Sequence, residues 1–108
     1  MEFPNARTPA IDCKTMDEVR EEVDRLDRIL VELIAERQSY MEAAARIKPE
    51  QQQVRVPWRI EDVVAKVLSE AERRGLSKRI AEPVWRELIE RCIAHEHEYW
   101  LSHRNRSE

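Results

Sequence analysis

Met16, Val19, Val23, Leu26, Leu30, Leu33, Arg37, Tyr40, Ala44 and Ile47 fall on one stripe, because the steps between them alternate between three and four without a break. That alternation is the signature of a long helix packing lengthwise against other helices. Every member is apolar or small except Arg37. A guanidinium placed where a core side chain belongs is costly unless it is paired. The seam leaves two readings open. Either the helical core contains a cavity that receives an anion at Arg37, or Arg37 snorkels outward or pairs with a core Glu.

The chain has 108 residues, enough for one small domain. Its single glycine, Gly75, excludes glycine-rich phosphate loops and argues against a sheet with many tight turns. Charged residues make up 38% and aromatic residues 6%, a balance that fits a helical protein with a salted surface. The net charge is −3 with both signs interleaved, which argues against a nucleic-acid partner. Cys13 and Cys92 are too few for a disulfide framework and read as thiols in a reducing compartment. The opening MEFPNARTPAIDC lacks the apolar core of a signal peptide, and no apolar run reaches membrane-spanning length. The expectation is a soluble, cytoplasmic protein with no membrane partner.

Residues 1–14 lack periodicity and read as a loose N-terminal tail. Thr15 and Glu18 form a capping-box pattern, so a first helix is predicted from about Met16 to Lys48, before Pro49. Residues 49–57, PEQQQVRVP, form a polar linker bounded by prolines and too polar to be a core strand. A second helix is predicted from near Trp58 to Arg74, with the stripe Ile60, Val63, Val64, Val67, Leu68 and Ala71 and with Gly75 as its C-terminal cap. Ser77 can cap a third helix with the stripe Ala81, Val84, Trp85, Leu88, Ile89, Cys92, Ile93, Tyr99 and Trp100. Pro83 makes that helix either begin near Glu82 or kink there. Residues 15–103 form the helical domain, and residues 104–108 are expected to fray.

The fold class is therefore all-α, three helices in the order long, medium, long. A first helix of about 33 residues spans about 50 Å. A compact chain of about 100 residues has a radius of gyration near 13 Å, so one copy cannot cover the whole stripe. A two-fold, intertwined homodimer is the expected assembly.

Arg37 and Lys48 are 11 residues apart, which places them within about 20° of one face and about 16 Å apart along a helix. A small anion between them is within reach of both. Arg20 precedes Arg37 by 17 residues, about 25 Å along the axis and turned by about 100°. It can join the same ligand only from the partner copy of an antiparallel dimer. Arg59 can close the site from the second helix. Glu96 extends the apolar stripe Ile89–Cys92, so its carboxyl is expected to be partly buried. Burial disfavours its charge and neighbouring cations favour it. Glu96 is either part of a reactive site or a structural counter-ion to Arg37 or Lys48.

Other polar groups carry less. His95 and His97 point to different sides of a helix, and nothing completes a zinc set, so no metal is expected. Trp58, Trp85 and Trp100 read as core and interface anchors. Arg73 and Arg74 serve the helix dipole. No Ser/His/Asp or Cys/His set shares a face, so covalent catalysis has no support.

The segments VREEVDRLDRILVELIAERQSYMEAAARIK, VPWRIEDVVAKVLSEAERRGLS and VWRELIERCIAHEHEYW, with Arg20, Arg37, Lys48, Arg59 and Glu96 at their spacing, resemble the all-helical class of chorismate mutases over roughly residues 13–101. That resemblance implies an intertwined homodimer with two sites, each built from both chains. It implies that Arg37 and Arg20 of the partner subunit hold substrate carboxylates. It further implies that Lys48 contacts a carboxylate and the ether oxygen, and that Glu96 donates a hydrogen bond to that oxygen. Arg59 matches the family's arginine at the start of the second helix, and Cys92 falls where a small residue lines the pocket.

The chain departs from the common mutase pattern at three places. Val56 stands where many members carry Asp, and Ile60 where they carry a Glu that meets the substrate hydroxyl. Glu96 stands where bacterial members usually have Gln and fungal members Glu. The linker, Ile60 and the ending EYW are more similar to a sister branch, the isochorismate-pyruvate lyases of salicylate synthesis. The implied activity is the cofactor-free pericyclic conversion of a small dicarboxylate, chorismate to prephenate. The alternatives are elimination of pyruvate from isochorismate, and a helical dimer that binds a dianion or a protein partner without turnover.

Overall fold

The computed structural model describes residues 7–106, with side chains through residue 104. Three helices carry the fold: α1 (Met16–Ile47), α2 (Pro57–Arg74) and α3 (Lys78–Arg106). Two short 3₁₀ turns, Ala10–Asp12 and Gln51–Gln53, lie before α1 and between α1 and α2. No strand occurs among the described residues. The chain divides into two compact units, Met1–Arg37 and Gln38–Glu108.

In the first unit, the start of α1 is fixed as its sequence predicts. The Glu18 amide donates to Thr15 Oγ1 at 3.1 Å, and the Thr15 amide donates back to Glu18 Oε1 at 3.0 Å. The Lys14 amide shares that carboxylate at 3.0 Å, and this hydrogen bond does most to hold the Glu18 carboxyl below the usual range. Part of the expected tail is tethered. The Thr8 amide donates to Glu22 Oε2 at 3.0 Å, and Cys13 Sγ approaches Thr8 O at 3.8 Å. Polar backbone groups, which carry no hydrophobic periodicity, do this work. The first six residues of that tail lie outside the described residues.

The seam of α1 is exposed within the chain. Met16, Val19, Val23, Leu26, Leu30 and Leu33 of the first unit are all exposed, and so are Tyr40 and Ile47 of the second. In the second unit the fully buried residue of α1 is Ala45, one step round from the seam, while Ile47 is 79% exposed. Arg37 and Ala44 are the half-buried members of the seam. An apolar stripe of this extent marks an interaction surface.

The second unit holds the core: Ala45, Val54, Val64, Ala71, Ala81 and Ile89 are buried. Val54 belongs to the linker, which reads as polar throughout. A 3₁₀ turn with its own capping box between Glu50 and Gln53 satisfies the polar groups and turns Val54 inward. Helix α2 begins with Pro57 at its first turn, where a missing N–H costs nothing. It ends at Gly75, whose φ of 73° is left-handed, and the Leu76 amide returns to Ala71 O at 2.8 Å. Near that end, Arg73 and Arg74 both reach Glu70, at 2.5 and 2.7 Å, and Arg73 foremost holds its carboxyl down at about 2. The pair of arginines thus serves a side chain as well as the helix end.

Helix α3 starts at Lys78, after Ser77, whose Oγ accepts from the Arg79 amide at 3.3 Å. Pro83 lies inside the helix and does not delay its start to Glu82. At the sixth position it forfeits a single backbone hydrogen bond, so the first turn forms ahead of it. The helix also continues past the point where fraying is expected. Arg104 is part of it and is engaged by α1's end, whereas residues 107–108 lie outside the described residues. No helix among the described residues is long and apolar enough to cross a membrane.

Candidate functional site

Lys48 follows the last turn of α1. Its amide closes that turn onto Ala44 O at 2.9 Å, and Pro49 stops the helix from continuing. Its side chain reaches α3, where Nζ donates to Glu96 Oε1 at 3.0 Å and Oε2 at 3.4 Å. Glu96 is only 3% exposed and is the buried charged residue among those described. A carboxylate this far from water needs a partner, and the ammonium supplies one. Two of the residues picked out by sequence thus meet, from positions 48 residues apart in the chain.

Three further links join the end of α1 to α3 around this pair. His95 Nε2 lies 2.7 Å from Glu42 Oε2, and Arg46 donates to the Tyr99 hydroxyl at 3.1 Å. The Trp100 indole N–H donates to the Lys48 carbonyl at 2.9 Å. The Glu42 carboxyl is held below its usual range, first by His95 and then by Gln38. Sequence reasoning set His95 and Trp100 aside from the site. Neither role leaves a mark in side-chain spacing: His95 is turned about 100° from Glu96, and Trp100, four residues after Glu96, has a backbone carbonyl as its target.

Cys92 is half-buried on α3, one turn before Glu96. Val56 occupies the N-cap of α2 in extended conformation, and Val56 and Ile60 are both half-buried. Arg59 is exposed and donates to Asp62 Oδ2 at 2.6 Å, so its guanidinium is committed locally. Asp62 also receives Lys66 at 3.1 Å, and these two cations, Lys66 first, hold its carboxyl low. Asp62 was missed in the sequence, although its i+3 spacing from Arg59 is the ordinary helix-pair signal. In the first unit, Arg20 is exposed and 3.9 Å from Asp17, while Arg37 is half-buried. No disulfide joins Cys13 and Cys92.

A groove of about 510 Å³ also opens in the second unit, lined by Gln51, Gln52, Val54, Arg55, Glu90, Ile93, Ala94 and His97. None of the candidate residues lines it. Its charges are already matched, Arg55 donating to both Glu90 oxygens at 3.1 and 2.5 Å. The Lys48–Glu96 pair, with a buried carboxyl beside an ammonium, is the stronger chemical feature. It can hold an anionic oxygen and move a hydrogen-bonding proton toward it. Among the described residues, no group of three or more His, Cys, Asp or Glu side chains is gathered as a metal set.

The pattern of the type II chorismate mutases matches residues 19–97. An isochorismate pyruvate lyase from Pseudomonas aeruginosa is 30% identical over 94 residues, which cover 87% of this chain and 92% of that protein.

Proposed function

The chain belongs to the type II chorismate mutase family and is an enzyme of that type, and on that premise we propose that it converts chorismate to prephenate in a site that two copies of the chain complete. The observation that carries this is the Lys48–Glu96 pair. The same contact would serve a purely structural ion pair. Family membership supports reading this buried carboxyl beside an ammonium as reactive.

The chemistry is unimolecular, so the protein needs neither nucleophile nor cofactor. Its tasks are to hold a compact reactive conformer and to meet the charge that gathers on the breaking ether bond. In this reading Arg37 and Arg20 of the partner subunit hold the two carboxylates. Lys48 contacts a carboxylate and the ether oxygen. Glu96 donates to that oxygen when protonated. Arg59 closes the site after exchanging Asp62 for substrate, and Val56, Ile60 and Cys92 form apolar lining. The assembly is a homodimer, with the exposed stripe of α1 as its interface.

A second reading has its own support. The Pseudomonas aeruginosa relative is named as an isochorismate pyruvate lyase and is matched over 92% of its length. Val56 and Ile60 give the substrate's hydroxyl side no polar side chain, which suits a substrate whose hydroxyl is placed differently. Purified protein given chorismate and isochorismate in separate reactions distinguishes them. Prephenate from chorismate supports the mutase. Salicylate and pyruvate from isochorismate, without prephenate from chorismate, move the assignment to the lyase. Turnover of neither contradicts the proposal.

A further inference from the structure

We propose that Trp100 and Arg104 are positioning residues for Lys48, an inference that rests on the reading of Lys48 as a substrate contact. The Lys48 carbonyl lies beyond the last turn of α1, and Pro49 stops the helix there, so no following helical N–H reaches it. Two donors from α3 take it. The Trp100 indole N–H reaches it at 2.9 Å, and the Arg104 guanidinium donates to the same oxygen. Arg104 also lies over the Trp100 ring, 4.8 Å from its centre, so the two donors brace each other.

Glu96, Trp100 and Arg104 are spaced four apart on α3 and share one face. That face grips Lys48 at both ends: Glu96 holds the ammonium at 3.0 Å, and the other two hold the carbonyl. A lysine side chain has four rotatable bonds, and its ammonium is placed no better than its backbone. Anchoring the carbonyl to the helix that carries Glu96 fixes the distance between the two groups that meet the reacting oxygen. A charge-assisted donor on a carbonyl is also stronger than a neutral one, which suits Arg104 to the task.

The test compares Trp100→Phe, which keeps the ring and removes the N–H, with Arg104→Gln, Arg104→Lys and Lys48→Ala. Trp100→Phe and Arg104→Gln should each lower kcat about tenfold, as loss of orientation does, with little change in KM. Their combination should be no worse than the poorer single variant, and Arg104→Lys should recover most of the loss. Amide exchange at Lys48, whose N–H closes the turn onto Ala44, should quicken while amides of α2 stay protected. Wild-type kcat and unchanged Lys48 exchange in both variants, with Lys48→Ala inactive, would overturn the positioning role and leave the Lys48 assignment standing. A loss confined to KM, or one that Arg104→Lys does not recover, would also overturn it. Full activity in Lys48→Ala would remove the reading on which it rests.

Discussion

Glu96 and Lys48 sit 3.0 Å apart with the carboxyl almost wholly removed from water; part of the stability rests on that contact and, in the proposed function, so does the chemistry. Removing one member of such a pair strands the other. Lys48→Met should cost about 2 kcal/mol in urea unfolding, below the usual range for a fully buried pair because the Lys48 side chain keeps 26% of its exposure. Glu96→Gln keeps shape and a donor, so its stability should change little. It should, however, alter the pH response. A carboxyl donates to the ether oxygen only when protonated, so turnover should rise toward acid pH. Gln donates at any pH and should flatten that slope; an unchanged profile in the variant would remove Glu96 from the reaction. Arg37→Ala should abolish turnover and leave self-association intact, as judged by sedimentation, because taking a cation out of an apolar stripe need not cost stability. Of this contact, Glu96 was legible because it extends a periodic face, and Lys48 because it lies 11 residues from Arg37 on nearly the same face. Trp100 and Arg104 were not, since a backbone carbonyl as their target leaves no mark in side-chain spacing.

Helix ends are where local chemistry decides this fold. Thr15 and Glu18 close the start of α1, Gly75 ends α2 and Ser77 begins α3, and each of these was readable from residue type and position, whereas Pro57 reads as the end of the linker and in fact opens α2. A Cβ placed at Gly75 would meet nothing within 4 Å, so the cost of Gly75→Ala comes from the left-handed backbone alone. That should be about 1 kcal/mol, measured as a shift in the unfolding midpoint. A larger loss would show that the α2–α3 turn resists substitution for a reason other than φ. Two features were not legible. Pro83 leaves open a helix that starts near Glu82 or one that kinks there; the helix starts at Lys78, because Ser77 caps the turn ahead of the proline. Val54 sits in a polar linker, and its burial depends on a 3₁₀ turn whose capping box between Glu50 and Gln53 has no hydrophobic period to reveal it.

At the scale of the whole molecule, the stripe of α1 was legible, but the surface that covers it was not, because a period says which residues share a face and not what they meet. Acid should act on the folded state in the opposite sense to its expected effect on turnover. Glu18, Glu22, Glu42, Glu61, Asp62, Glu70 and Glu90 are all held below their ordinary values by hydrogen bonds or cations. The folded chain then binds fewer protons than the unfolded one, so this stabilisation is present above the ordinary carboxyl range and is lost as pH falls through it, down to about 2 for Glu70. Thermal unfolding should therefore weaken with acid below about pH 4.5, less so at high salt, since these pairs are mostly exposed. A midpoint that did not fall would show that these pairs persist no better in the folded chain than in the unfolded one. In the proposed function, a shared site turns over a chorismate-type dianion where Arg37 of one copy meets Arg20 of the partner subunit. It is tested most directly by mixing Arg20→Ala with Arg37→Ala after unfolding and refolding them together. Each variant alone should be inactive. Random two-fold pairing makes half the molecules mixed, each with one intact site, so the mixture should regain about a quarter of wild-type turnover of chorismate or isochorismate. A mixture as inactive as its components, or either variant active alone, would contradict a site shared in this way.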